Sequence, residues 1–187
     1  MTHQQSLNGV NVDQLKNTVE AIKEQPDIAK FQFRANTQWL EGGHSRTEIQ
    51  SFYGAGKEDD SREQPFVLES DEPPVILGGN QGPNAVESVL HALASCISVG
   101  FAYNAAAQGI KVDELELNVE GDIDLQGFLG LAEGVRPGYE NIRMSYKVKA
   151  DAPEEKISEL CEYVQSTSPV LDLIRNPVPV SIHMEKA

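Results

Sequence analysis

GPNAVESVLHALASCISVGFAYNAAAQG, residues 82–109, reads as one long apolar helix with a single cysteine, Cys96, at its middle. Asn84 suits an N-cap, and Glu87 stands three residues on, where the acid of a capping box belongs. Gly109 supplies a left-handed stop. Between them Val86, Val89, Leu90, Leu93, Ile97, Val99 and Phe101 fall on every side of the helix. A helix apolar all round is one that other elements enclose, so the stretch predicts a buried central helix. Its small residues, Ala92, Ala94, Ser95, Ser98, Gly100 and Ala102, allow other backbones to approach closely.

On the N-terminal side, Val12, Leu15, Val19 and Ile22 recur at helical spacing over residues 11–24, and Pro26 ends the run. From Ile28 to Tyr53 the pattern alternates, with Phe31, Phe33 and Ala35 before a Gly42-Gly43 turn and Thr47, Ile49 and Phe52 after it, which predicts a hairpin. Residues 54–64 read as a polar loop and Phe66–Leu68 as the start of a third strand. Beyond Gly109 the period returns to two. Val112, Leu115, Leu117 and Val119 predict a strand, residues 126–137 a Gly-rich excursion, and Ile142–Val148 another strand. Ile157, Leu160, Cys161 and Val164 form the stripe of an amphipathic helix over 153–165. A short helix or turn at 168–175 precedes a last predicted strand, Val178–Met184. This order gives an α+β fold, mostly antiparallel sheets packed around the central helix. Residues 1–27 read as a helical extension and 28–187 as the main domain.

Composition narrows the function. A chain of 187 residues can bury one substantial core. Its net charge of −14, with no basic run, argues against nucleic acid and against an anionic membrane surface as partner. The acidic excess serves solubility. No run reads as a membrane span, the first residues have no signal-peptide pattern, and two cysteines make no disulfide framework. The expectation is a soluble, cytoplasmic protein.

Few residues carry chemistry. Cys96 is either a small buried hydrophobe or a reactive thiol. It sits about three turns into its helix, beyond the reach of the helix dipole, so reactivity would need a cation or hydrogen-bond donor from elsewhere. Cys161 lies on an apolar stripe and reads as core packing. Glu87 is most simply the capping-box acid, with a catalytic carboxylate as the other reading. His91 and His183 stand alone, no spacing suggests a metal site, and no G-x-S-x-G elbow is present. Gly78-Gly79-Asn80-Gln81-Gly82 before a helix offers amides to an anion, but it lacks the lysine and spacing of a P-loop and reads as a turn. No cofactor and no metal is expected.

The segment NAVESVLHALASC, residues 84–96, resembles the OsmC/Ohr family, whose hallmark is G-x-N-P-x-E followed by a small-residue helix bearing the reactive cysteine. GIKVDELELNVEGDID (109–124) is similar to the family's next strand, and SPVLDLIRNPVPV (168–180) to its closing motif. The resemblance implies an OsmC-like fold over residues 28–187, an intertwined homodimer with sites at the subunit interface, and thiol-dependent reduction of organic hydroperoxides. Cys96 matches the peroxidatic cysteine. Where the family has its second cysteine this chain has Ser168, and Cys161, seven residues earlier, is about 10 Å away along a helix. A disulfide needs Cα atoms within about 7 Å. The family's glutamate falls on Val86, one step, about 100°, from Glu87. The arginine of its G-G-R turn falls on His44 in G-G-H-S-R, leaving Arg46 or Arg34 as substitutes. The expected catalytic set is therefore Cys96 with Arg46, Arg34, His44, Glu87 and Ser168. It implies a single peroxidatic cysteine resolved by an external thiol reductant. The alternative is a non-catalytic dimer that binds an apolar or acidic small molecule in the interfacial pocket. A third reading is a structural dimer whose first helix docks a partner.

Overall fold

The computed structural model describes residues 6–186. Residues 1–5, with which the reading of the N-terminus begins, lie outside the described residues. The chain forms two compact units, one of Ser6 and Asn11–Leu90, the other of Leu7–Val10 and everything from His91. The short strands β1 (Ser6–Leu7) and β2 (Val10–Asn11) pair around Asn8-Gly9. Both turn residues have positive φ, 53° and 76°, as a two-residue hairpin turn requires.

In the first unit α1 (Val12–Glu24) forms where the periodicity places it, capped by the Asn11 side chain, which accepts from the Gln14 N–H. β3 (Asn36–Glu41) and β4 (His44–Ile49) make the predicted hairpin across Gly42-Gly43. The strand starts later than the alternation suggests. Phe31, Phe33 and Phe52 instead stack on one another with centroids 5.6–6.2 Å apart, and an isolated bridge, Gln32↔Tyr53, is the ladder found there. The expected polar loop at 54–64 is corrected as well. β5 (Phe52–Gly54) and β6 (Lys57–Asp59) form a second hairpin whose turn, Ala55-Gly56, again has positive φ. β5 is only three residues long and β6, Lys57-Glu58-Asp59, is polar on both faces, so no alternation announces the pair. β7 (Phe66–Ser70) then pairs with the free side of β4, giving an antiparallel sheet in the order β3-β4-β7.

The segment after β7 is held by Asp71, 2% exposed. Its carboxylate accepts the N–H of Glu72 (2.7 Å), Gly79 (3.0 Å) and Gln81 (3.2 Å). The Gly-rich turn thus does cradle an anion, and the anion is the chain's own. Gly78 is obligatory here, since a Cβ would sit 1.8 Å from the Glu72 carbonyl oxygen.

The second unit is built on β8 (Val112–Asp122) and β9 (Asn141–Ala150), antiparallel along their length. Between them the Gly-rich excursion carries one short helical turn, α3 (Leu125–Phe128). The long helix α2 (Ala85–Ala107), α4 (Glu154–Thr167) and α5 (Pro169–Arg175) follow the predicted positions. Leu93, Ile97, Phe101 and Ala105 of α2 join Ile110, Leu160 and Val164 in the core, against the inner residues of β8 and β9. Gly100 permits the approach of α4, because a Cβ there would lie 3.0 Å from Val164 Cγ1. At the end of α2 the Ile110 N–H bonds to the Ala105 carbonyl (2.9 Å) and the Gly109 N–H to that of Ala106 (3.1 Å), a Schellman stop with Gly109 at φ 74°.

Within the chain α2 is buried along one face, while Val89, Val99 and Tyr103 remain exposed on another. By length and composition alone α2 is apolar enough to cross a membrane, contrary to the sequence expectation. Core helices share that composition, and its row of core residues is of that kind. The predicted strand Val178–Met184 is not formed. Pro177 and Pro179 have no N–H to give a ladder, and among the described residues no strand pairs with this segment.

Candidate functional site

Cys96 occupies the half-buried flank of α2, next to the core row of Leu93, Ile97 and Phe101. Its Sγ lies 3.2 Å from Ser168 Oγ. Ser168 is buried, 5% exposed, at the junction of α4 and α5. It is there because Pro169 opens α5 and a serine before Pro at N1 makes a good N-cap. Its Oγ accepts from the Leu171 N–H at 3.3 Å. A hydroxyl has one hydrogen. With Oγ already accepting from the backbone, that hydrogen is free to be donated to the sulfur of Cys96. Sequence-predicted site residues 72 positions apart are thereby brought together.

Cys161 is a different kind of cysteine. It packs half-buried against the core, and burial pushes its thiol above the ordinary range. Tyr146, on β9, is pushed up first by burial and then by Cys161 nearby. Among the described residues its buried hydroxyl has no hydrogen-bond partner.

The three candidate cations all lie in the first unit, each on a carboxylate. Arg34 forms a two-point pair with Glu58, Nη1 to Oε2 and Nη2 to Oε1, both 2.8 Å, and its Nη2 also donates to Gln32 Oε1. Hydrogen bonding to Glu58 raises the guanidinium and lowers the carboxyl. His44 and Arg46, two apart on β4, share one acid on β7. His44 Nε2 is 2.8 Å from Glu69 Oε2, and Arg46 Nε donates to Glu69 Oε1 at 2.7 Å. Arg46 first, then His44, hold the Glu69 carboxyl below its usual range. Glu87 forms the capping box: Glu87 Oε2 accepts from the Asn84 N–H (2.9 Å) and Asn84 Oδ1 from the Glu87 N–H (2.8 Å).

Glu69 and Glu58 escaped the sequence reading. The β4–β7 register puts Arg46 directly opposite Glu69, but the pairing leaps over the β5–β6 hairpin, so no local pattern announces it. Asp71 was equally hidden, since its partners are backbone amides.

The family model described as OsmC-like protein matches residues 78–183. Among solved structures, an OsmC-like protein from Mycoplasma pneumoniae aligns with a TM-score of 0.58 at 17% identity, covering 78% of this chain and 89% of that one. An organic hydroperoxide resistance protein OsmC from Legionella pneumophila aligns with a TM-score of 0.51 at 13% identity, covering 77% and 89%. At such identities the likeness is one of fold. No curated protein matches the chain.

Proposed function

Since its family model spans more than half of the residues, this chain belongs to the OsmC-like family, and from that premise we propose that it reduces organic hydroperoxides through one peroxidatic cysteine, Cys96. As a thiolate, Cys96 attacks a peroxide oxygen. The S–O bond forms as the O–O bond breaks, and the proton passes to the departing alkoxide, leaving an alcohol and a sulfenic acid on Cys96. An external thiol then condenses with the sulfenic acid, releasing water. A second thiol cleaves the mixed disulfide and restores Cys96. Ser168 hydrogen-bonds the sulfur but cannot close a disulfide. Arg46, Arg34 or His44 supplies positive charge to the thiolate and peroxide, and Glu87 is the remaining member of the expected set.

The observation that carries this reading is the contact of Cys96 Sγ with Ser168 Oγ. A hydroxyl with its hydrogen available stands beside the one cysteine that the family motif makes reactive. We further propose that the protein works in the cytoplasm as a homodimer. In support, Val89, Ala92, Cys96, Val99 and Tyr103 follow one another at alternating spacings of three and four, the seam of a helix that packs on another helix, and Val99 and Tyr103 are about half exposed. A second reading, a non-catalytic dimer that binds a small molecule, is favoured by the engagement of all three candidate cations with Glu58 and Glu69.

Intact mass after one equivalent of an organic hydroperoxide, with dimedone present, separates the two. A single rapid adduct on Cys96 is expected. An unmodified Cys96 in folded, reduced protein leaves the binding reading.

A further inference from the structure

We propose that Asn8 is a self-modification site, where spontaneous deamidation across Asn8-Gly9 unlatches the N-terminal hairpin from the head of β8. Asn8 is the one asparagine of the chain that glycine follows. The two-residue turn between β1 and β2 calls for that pair, since both positions have positive φ. Glycine has no Cβ to shield its own nitrogen, and the space beside Gly9 is open, a Cβ there meeting no atom beyond its chain neighbours within 4 Å. The Asn8 carboxamide is also the latch. Its Nδ2 donates to the Ile110 carbonyl and its Oδ1 accepts from the Val112 N–H, both at 2.9 Å, across 102 and 104 residues of sequence. Val10, buried, is the hairpin's apolar anchor. While the latch holds, the carboxamide is committed to β8, and ring closure waits for the hairpin to open. Strands of two residues open locally at little cost. On opening, the Gly9 nitrogen attacks the carbonyl carbon of the Asn8 side chain. A C–N bond forms, Nδ2 leaves with the Gly9 proton as ammonia, and a five-membered imide results. Water opens the imide at either carbonyl, giving aspartate or isoaspartate at position 8 with no change of oxidation state. A carboxylate only accepts, so the Ile110 carbonyl loses its donor in either product. Isoaspartate also lengthens the backbone of a turn built for two residues. The step consumes only water and uses no residue of the thiol site.

The test ages the full-length wild-type chain at body temperature and mildly alkaline pH, folded and, as the unlatched reference, in urea. Peptide mapping with electron-transfer fragmentation follows aspartate and isoaspartate at every asparagine. Hydrogen–deuterium exchange over residues 6–12 is read on the fresh chain, the aged chain and Asn8→Asp. In the folded chain, position 8 is expected to convert before any other asparagine, and more slowly than in urea. The aged chain and Asn8→Asp should exchange over residues 6–12 about fivefold faster or more, the effect of losing one hydrogen bond. A folded chain in which another asparagine converts first, or in which position 8 stays intact while the urea sample converts, overturns the modification site. Equal rates at position 8 in the folded chain and in urea overturn the latch. So does conversion that leaves exchange over residues 6–12 unchanged. Should Asn8→Asp fail to fold, the aged wild-type chain carries the exchange measurement alone, and unchanged exchange there overturns the proposal.

Discussion

The two cysteines of this chain differ in what surrounds the sulfur. Cys96 has a buried hydroxyl at 3.2 Å, whereas Cys161 has apolar neighbours that push its thiol up. A thiol held protonated is a poor nucleophile. Cys96→Ser should therefore abolish consumption of organic hydroperoxide in a coupled assay, and Cys161→Ser should leave it nearly unchanged. Equal losses would make Cys161 a participant. The same contact predicts what a restored second thiol would do. Ser168 Oγ already lies within hydrogen-bond distance of Cys96 Sγ, so a sulfur at 168 needs only to close toward the roughly 2 Å of a disulfide. Ser168→Cys should show a 96–168 bridge by nonreducing peptide mapping after oxidation, and separate peptides would refute the alignment of the closing motif. The nearness of Cys96 and Ser168 was legible because each lies in a recognisable local motif. The pairing of Glu69 with Arg46 and His44 was not, since it exists only once β7 meets β4.

Elements show the same division between local and distant causes. The boundaries of α2 were readable because a capping box and a Schellman glycine are written into adjacent residues. β8 and β9 were readable because one face is apolar and the other carries a cross-strand charge ladder, Glu114 opposite Lys149 and Glu116 opposite Lys147. The β5–β6 hairpin, three residues to a strand and with β6 wholly polar, left no periodic signal. The loop between β7 and α2 was read as a bare turn because its organising group, Asp71, acts on amides up to ten residues away. Burial alone would push the Asp71 carboxyl up, but bonds from Glu72, Gln81 and Gly79, with the charge of His44, outweigh it and leave it below the ordinary aspartate range. A group whose pKa is depressed by folding stabilises fully above its unfolded value, about 4 for aspartate, and loses that contribution as pH falls through the folded value. Asp71→Asn replaces a two-oxygen acceptor with an amide that turns its N–H2 toward backbone N–H groups. Its melting temperature should fall furthest below wild type near neutral pH, and the gap should close as acid protonates Asp71. A gap that stays constant with pH would mean the carboxylate's charge is not what holds the loop.

Considered whole, the chain leaves several large apolar side chains open. Val99 and Tyr103 on α2 are 53% and 49% exposed, and Val180, Ile182 and Met184, on one side of the final extended segment, are exposed still further. That segment has the alternation of a strand, and among the described residues it has no ladder to join. This explains why a sound sequence pattern predicted a strand that the single chain does not form. Period-two alternation reports that one face will be covered, not which chain covers it. The helix gives the parallel case: residues apolar on all sides predicted enclosure, and one chain encloses one face. The proposed homodimer would account for both mismatches, because a seam spaced three and four along α2 can meet its like by symmetry. Sedimentation equilibrium should therefore give twice the chain mass at micromolar concentration. Val99→Glu, which sets a charge on the seam and leaves the core row Leu93, Ile97 and Phe101 untouched, should shift the protein toward monomer while far-UV circular dichroism stays unchanged. Each chain carries a net charge of −14, so added salt should tighten the wild-type dimer by screening the repulsion between copies. A wild-type protein that sediments as a monomer at every salt concentration would show that α2 is covered by something other than a second copy.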